Sequence, residues 1–146
     1  SKLPELFTDP SPLEGRRLRG EADLLLISYG VLSGELLRAL PIFEQAKINW
    51  SLLHLTRLSP LPAELIERAF QETRRAVLCV DHHQKRGGVG SLVGEKLLQA
   101  NIERKRSLRF ARVAIQDRFT QSGTLSYLLQ KYGLDAPAII SAAKAR

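Results

Sequence analysis

Three polar residues that could take part in acid–base or metal chemistry follow a short apolar run. Asp81, His82 and His83 come directly after residues 76–80. An imidazole titrates near neutral pH, so a histidine here could act as an acid or a base. Neighbouring side chains at a strand end diverge, however, and no third ligand stands at a spacing typical of zinc sites. We therefore expect a polar loop that contacts a substrate or a neighbouring domain rather than a metal site.

A glycine turn follows this polar cluster. Gly87, Gly88 and Gly90 open a segment of helical periodicity. Glycines at such a place can admit a phosphate to the amides of a helix N-terminus. The spacing is neither GxGxxG nor a Walker loop, because no Lys-Ser/Thr pair follows the last glycine. The sequence instead favours a tight turn with positive φ at Gly87 or Gly88, and close packing of the helix on the sheet.

Thr56 and Arg57 form a third candidate group, at the predicted end of another strand and shortly before Pro60. Arg57 could bind an anionic group. Arginines are common at the rim of a sheet, however, so its position alone does not indicate a binding site. The sequence contains no nucleophile elbow, carboxylate pair or zinc pattern. No residue is therefore assigned a catalytic role.

The candidate residues described above all follow predicted strands, and strands of one parallel sheet would bring them together at one edge of that sheet. The apolar runs of the sequence predict such strands. Near-continuous runs predict buried parallel strands at 23–29, 52–58, 76–80 and 108–115, with a charged edge strand near 14–19. A first helix is predicted from a cap at Ser33 to Pro41, a second begins at Pro62, and a third runs from the glycine turn to about Ala100. Two further helices are predicted in the C-terminal segments 124–133 and 136–145. Alternating strands and helices predict an α/β domain whose mostly parallel sheet is covered on both faces.

Composition limits the classes of function. The chain has 146 residues, 44% of them hydrophobic, a net charge of +7 and one cysteine, Cys79, inside a predicted strand. No apolar run is long enough to span a membrane, and a single cysteine is in keeping with a cytoplasmic location. The basic residues are scattered and only nine residues are aromatic (one Trp, three Tyr, five Phe), so we do not expect nucleic-acid binding. Residues 1–12 are proline-rich and predict an arm or linker, with the domain at 13–146.

Four blocks in order resemble one family, the C-terminal domain of transketolase-like thiamine diphosphate enzymes. They read LLLISYGVLSGELLRA, LTRLSPLPAELIERAFQETRRAVLCVDHH, RGGVGSLVGEKL and DRFTQSGTLSYLLQKYGLDAPAI. Within that family the chain is similar to deoxyxylulose-phosphate synthase and transketolase. The resemblance implies a three-layer domain with a mostly parallel five-stranded sheet. It also implies a transferase that moves a two-carbon unit or decarboxylates a 2-oxo acid, with this chain as an excised C-terminal part or a separate subunit.

The resemblance places thiamine diphosphate and Mg²⁺ outside this chain, between the pyrimidine- and pyrophosphate-binding domains that would be its partners in a dimer. This domain alone would then have no activity, and would contribute Thr56, Arg57, Asp81, His82 or His83 to a substrate channel or an interface. One departure affects the channel. The phosphate-binding arginine of several members falls at Thr56 here, and Arg57, one residue later on a strand, would point to the opposite face. Pro62 replaces the family's capping aspartate, so the helix that it begins would lack a side-chain cap.

Three alternatives remain open at the level of sequence. The chain could be the C-terminal domain of a 2-oxoacid dehydrogenase E1 β subunit. It could be a self-sufficient nucleotide-binding α/β domain, in which case the glycine turn would hold phosphate. It could also be a non-catalytic interaction or regulatory module that kept the fold.

Overall fold

The computed structural model describes residues 15–30, 32–58, 60–82 and 88–115. The N-terminal arm, the loop predicted after the last strand and the two predicted C-terminal helices lie outside these residues. The elements, in chain order, are β1 Gly15–Leu18, β2 Ala22–Tyr29, α1 Leu32–Gln45, β3 Trp50–Leu55, α2 Ala63–Gln71, β4 Thr73–His82, α3 Val89–Arg104 and β5 Arg109–Ile115.

The strands form one five-stranded sheet in the order β1-β3-β2-β4-β5. β1 runs antiparallel to β3, and every other neighbouring pair is parallel. The carboxyl ends of β2, β3, β4 and β5 consequently lie at the same edge of the sheet. The predicted α/β class and the mostly parallel five-stranded sheet are confirmed.

Side chains that alternate along the central strands fill two cores, one on each face of the sheet. On one face Leu24, Leu26 and Leu52 pack with Phe43 of α1. On the other face Leu25, Leu53 and Val77 belong to a cluster that includes residues of α2 and α3, namely Ile66, Ala69, Phe70, Val89, Val93 and Leu97. Burial on both faces explains why the strands read as continuous apolar runs, and it gives the three layers.

The first helix differs from its prediction at both ends. α1 continues through Pro41 to Gln45, so the predicted stop at Pro41 is wrong. A proline inside a helix removes one backbone hydrogen bond. The turn beyond it compensates, because Phe43 is fully buried and Glu44 accepts a hydrogen bond from Trp50 Nε1 at 3.0 Å. The predicted cap at Ser33 is wrong as well, since Ser33 lies inside the helix and its hydroxyl bonds to other side chains.

Strand and helix boundaries elsewhere shift by a few residues. β3 ends at Leu55 rather than Leu58, because Leu55 pairs with Tyr29 and Gly15 while Thr56 beyond it is exposed and outside the ladder. α3 extends to Arg104 instead of Ala100. Pro62 is the residue before α2 rather than part of its first turn, and no side-chain hydrogen bond caps that helix, as predicted.

None of the helices in the described part of the chain is both long enough and apolar enough to cross a bilayer.

Candidate functional site: the carboxyl edge of the sheet

Three neighbouring strands bring their following residues together at the carboxyl edge. β2 ends at Tyr29, β3 at Leu55 and β4 at His82. Tyr29 pairs with Leu55 in the ladder, and the Gly30 amide donates to the Leu55 carbonyl at 3.3 Å. Gly30 and Thr56 therefore leave the sheet side by side. In parallel α/β sheets, this edge is where ligands bind.

Gly30 makes the turn from β2 into α1. Its φ is +62°, in the left-handed region that favours glycine, and no atom stands within 4 Å of where a Cβ would lie. The Ser33 amide donates to the Gly30 carbonyl at 3.2 Å, which closes the turn at the start of the helix. Glycine is thus required here for its backbone conformation and not for space.

A buried chain of hydrogen bonds joins this turn to β3. Ser28 Oγ bonds to Ser33 Oγ, and Ser33 Oγ bonds to His54 Nδ1. Ser28 and Ser33 are fully buried and His54 is 8% exposed. Ser28 and His54 are partners in the β2–β3 ladder, so the helix residue Ser33 bridges two strand ends. Sequence reasoning missed this cluster, although a polar residue inside a buried apolar run signals a required partner.

Asp81 lies near the end of β4, on the opposite side of β2 from His54, and its carboxylate is buried and hydrogen-bonded. Its carboxylate, in a residue that is 2% exposed, accepts a hydrogen bond from the Gly90 amide at 2.8 Å and pairs with Arg112 Nε at 3.1 Å. The Gly90 amide belongs to the first turn of α3, where a negative charge is favoured by the helix dipole. Asp81 therefore takes the place that an anionic ligand would need at this helix N-terminus. Arg112, four residues into β5, was not singled out by sequence.

Gly88 and Gly90 of the glycine turn are required because a larger side chain would collide with neighbouring residues, and the backbone angles of Gly88 are ordinary. A positive φ was predicted at Gly87 or Gly88. Gly88 has φ −69° and ψ −176° and does not adopt it, while Gly87 lies outside the described residues, so the prediction remains for Gly87 alone. A Cβ on Gly88 would lie 2.8 Å from Asp81 Oδ2, and one on Gly90 would overlap Arg112 Cδ and Nε. Both glycines leave room for the Asp81–Arg112 pair. This is the close packing of helix on sheet that the sequence favoured over a phosphate loop.

Thr56 and Arg57 follow β3 and are not part of it. Thr56 is exposed, Arg57 is partly buried, and Arg57 Nε donates to the Pro60 carbonyl at 3.0 Å. The prediction that Arg57 points to the opposite face of a strand is wrong, because strand alternation does not apply past Leu55. Both residues nevertheless stand at the carboxyl edge, in the loop beside Gly30.

His82 is the last residue of β4 and pairs with Ile115 in the ladder. The structure describes its place in the sheet but not its side chain, and His83 lies outside the described residues. The adjacent pair Asp81 and His82 thus reaches the edge on β4. Their assignment to a channel or an interface stays a prediction.

Burial also affects the thiol on the strand that leads to this edge. Cys79 is fully buried, and burial, helped by the negative charge of Asp81, raises the pKa of its thiol far above the ordinary value. The side chain is neutral and inaccessible in the folded protein. This agrees with the interpretation of Cys79 as a core residue.

Several of the basic residues bond within the domain, away from this edge. Arg17 pairs with Glu72 at 3.0 Å, and Arg74 pairs with Asp23 at 2.8 Å. Burial lowers the pKa of Arg17, while the charge of Glu72 opposes that shift. Arg106 donates to the Phe70 carbonyl at 3.0 Å. These arginines hold elements together, which weakens the argument that the positive charge serves an external polyanion.

The described residues at the carboxyl edge do not fit a metal-bound diphosphate. Magnesium in such sites requires several oxygen ligands in near-octahedral geometry. Among the described residues no cluster of three or more His, Cys, Asp or Glu side chains is placed to hold a metal ion. The buried carboxylate here, Asp81, is engaged by Arg112 and the Gly90 amide.

Comparison with known proteins agrees with this architecture. Residues 13–139 match the family described as "Transketolase, C-terminal domain". The chain is 30% identical over 145 residues to 1-deoxy-D-xylulose-5-phosphate synthase of Syntrophotalea carbinolica, a match that covers 98% of this chain and 22% of that protein. It is 29% identical over 126 residues to a putative transketolase C-terminal section of Methanocaldococcus jannaschii, covering 86% of this chain and 37% of the relative.

A solved structure of a split gene transketolase, an inactive beta4 tetramer, superimposes on this chain with a TM-score of 0.61 at 28% sequence identity. The match covers 97% of this chain and 45% of that one. The chain therefore spans less than half of each of these relatives.

Proposed function

Because the chain belongs to the transketolase C-terminal domain family, we propose that it forms the C-terminal part of a thiamine diphosphate-dependent transferase. The reaction type is that of deoxyxylulose-phosphate synthase or transketolase, which the similar proteins suggest. The rest of the enzyme, either in the same polypeptide or in a separate subunit, binds the cofactor. This domain supports a dimeric assembly and lines part of the substrate channel. The whole protein acts in the cytoplasm.

The observation that carries this proposal is the arrangement of the carboxyl edge within a domain that matches the family over residues 13–139. The loops after β2, β3 and β4 stand at one edge, with Tyr29–Gly30, Thr56–Arg57 and Asp81–His82 in neighbouring positions. Such an edge can face another domain and contribute side chains to a channel between them. It needs no cofactor of its own to do so.

The nucleotide-binding alternative gains no support from the geometry. A phosphate on the first turn of α3 would compete with the Asp81 carboxylate, which already accepts the Gly90 amide and pairs with Arg112. A second negative charge at that buried place would be repelled by the first. We expect this chain to bind neither nucleotide nor thiamine diphosphate by itself.

The test is to place an affinity tag on this chain in its native host, isolate the assembly that contains it and measure bound thiamine diphosphate. The isolated assembly should contain the cofactor and transfer a two-carbon unit from a 2-oxo acid or a ketose phosphate. Titration of the 146-residue chain alone with thiamine diphosphate and Mg²⁺ in a calorimeter is the matched control, and should show no binding. An assembly without thiamine diphosphate would refute the proposal and favour a non-catalytic module.

Substitutions at the edge separate a channel role from a cofactor role. In the active assembly, His82→Ala and Arg57→Gln should raise KM for the substrate or weaken assembly, and should leave the affinity for thiamine diphosphate unchanged. Arg57 is the relevant arginine because the family resemblance implies a phosphate-binding arginine at the position of Thr56, and Arg57 is the next residue in this chain. If Arg57 supplies that contact, Arg57→Gln should raise KM more for a phosphorylated acceptor than for its unphosphorylated counterpart.

A further inference from the structure

The turn between α3 and β5 presents a serine that the fold does not use. Ser107 is exposed and lies in neither a helix nor a strand. It makes no hydrogen bond or ion pair with any other residue in the described ranges. Exposed turns are the places where processing enzymes reach a folded chain, so the hydroxyl of Ser107 is open to modification.

Two exposed basic residues precede this serine. Arg104 and Lys105 stand three and two residues before Ser107, and neither forms an ion pair within the part of the chain that the structure describes. α3 ends at Arg104, and Lys105 follows with φ 52° and ψ 47°, so the chain turns away from the helix at this point. Serine kinases with an acidic substrate groove select their substrates by basic side chains at these two positions, because each cation pairs with a carboxylate of the kinase.

Arg106, the third basic residue of the turn, has a different role. Its guanidinium donates to the carbonyls of Phe70 and Thr73, and its amide donates to the Asn101 carbonyl at 2.9 Å. Arg106 therefore anchors the turn to the end of α2 and the start of β4. The sequence presents three equivalent basic residues before the serine, whereas the structure separates one anchor from two exposed cations.

We propose that Ser107 is a phosphorylation site for a serine kinase of this basic-directed class, with ATP as the phosphoryl donor. Ser107 Oγ forms a bond to the γ-phosphorus, the bond from that phosphorus to the bridging oxygen of ADP breaks, and the hydroxyl proton passes to the catalytic carboxylate of the kinase. The product carries about 1.5 to 2 negative charges at pH 7. These charges stand in a turn bordered by the exposed side chains of Arg104, Lys105 and Arg109.

One clamp controls how fast the folded chain is modified. Asn101 Nδ2 donates to the Leu108 carbonyl at 2.9 Å, and the Leu108 amide donates to Asn101 Oδ1 at 3.1 Å. Leu108 is also buried, at 6% exposure. A kinase binds its substrate as an extended segment, so the residue after Ser107 must leave this clamp during the transfer. Local opening at a helix end is fast compared with the turnover of a kinase, which makes the folded chain a substrate.

Incubation of the 146-residue chain with ATP and the catalytic subunit of the cyclic-AMP-dependent kinase, a basic-directed enzyme, tests the proposal. Mass spectrometry of peptides should place the phosphate on Ser107. Arg104→Gln should lower kcat/KM of the kinase for the chain by about tenfold or more, because one charge-assisted contact is lost. Arg109→Gln is the matched control: it removes the same charge from an exposed residue on the other side of Ser107, and its effect should be small.

Asn101→Ala tests the clamp. Phosphorylation of the folded variant should be faster than that of the parent by about fivefold or more, since two hydrogen bonds no longer have to open. A synthetic peptide of residues 101–110 has no folded clamp, so the same substitution should leave its rate unchanged. Circular dichroism verifies that each full-length variant is folded. An unchanged rate in the folded variant would exclude the clamp as the controlling contact.

The tagged chain isolated from its native host provides the decisive measurement, and a phosphate on Ser107 is expected there. A native chain without it would overturn the proposal. So would a folded chain that takes up no phosphate from the kinase, or equal effects of Arg104→Gln and Arg109→Gln. None of these outcomes depends on thiamine diphosphate, so they leave the proposed function to its own test.

Discussion

Asp81 and Arg112 form an ion pair across β4 and β5, with Asp81 Oδ2 3.1 Å from Arg112 Nε. The side chain of Asp81 is 2% exposed and that of Arg112 is 36% exposed. The same carboxylate oxygen accepts the Gly90 amide. One side chain thus ties together two strands and the first turn of the helix that connects them.

Replacing Asp81 by asparagine should destabilise the domain. Asp81→Asn keeps the shape but removes the charge that Arg112 and the Gly90 amide contact. We expect the free energy of unfolding to fall by about 2 kcal/mol, the typical contribution of a hydrogen bond to a charged group. Urea unfolding followed by circular dichroism measures it. Glu21→Gln is the control, because that carboxylate is 78% exposed and lies 3.8 Å from Arg74, so its loss should change stability by no more than about 0.5 kcal/mol.

Gly88→Ala should destabilise the domain through a steric clash. The added methyl group would lie 2.8 Å from Asp81 Oδ2 while the backbone angles remain ordinary, so we expect a loss of about 1–3 kcal/mol in the free energy of unfolding. Gly20→Ala is the matched control, since a Cβ there meets nothing within 4 Å. Combining Gly88→Ala with Asp81→Ala, which removes the carboxylate that the methyl group would meet, should cost less than the sum of the two single changes. Full additivity would show that the methyl group does not act through Asp81.

Ser33→Ala should weaken the junction of α1 with the ends of β2 and β3. The substitution removes the bridge between Ser28 and His54 inside the core, where polar groups that lose a partner are costly. We expect a loss of about 2 kcal/mol in thermal or urea unfolding. Ser91→Ala, at an exposed position in α3, should change stability by less than about 0.5 kcal/mol. Equal effects of the two substitutions would mean that the buried bridge contributes nothing.

Stability should fall in alkaline solution because of Cys79. Burial raises the pKa of this thiol in the folded protein, whereas the unfolded thiol ionises near its ordinary pKa of 9.0. The free energy of unfolding is therefore unaffected by Cys79 below about pH 9. Above that pH it declines by about 1.4 kcal/mol per pH unit, because only the unfolded chain releases the thiol proton. Unfolding free energies measured from about pH 8 to 10.5 should show this slope. In Cys79→Ala the slope should be smaller by that amount, and an unchanged slope would exclude the thiol as its cause.

Local pattern by itself determined the class of fold. Apolar runs such as residues 24–27 and 76–80 are buried on both faces, and a strand buried on both faces is central in a covered parallel sheet. The same reasoning identified the carboxyl edge, because parallel strands end together. The four sequence blocks carried the family resemblance, and the match over residues 13–139 confirms it.

Which side chains meet at that edge was decided only by the tertiary structure. Asp81 and Arg112 are 31 residues apart, and Ser33 and His54 are 21 apart, so the strand register and the helix crossovers bring them together. Pro41 stays inside α1 because Phe43 beyond it is buried in a core built by other elements. Gly88 is required because a distant carboxylate fills the space of its missing side chain. A sequence read locally contains the residue types and their periodicity, whereas contacts between distant residues depend on the packing of the whole domain.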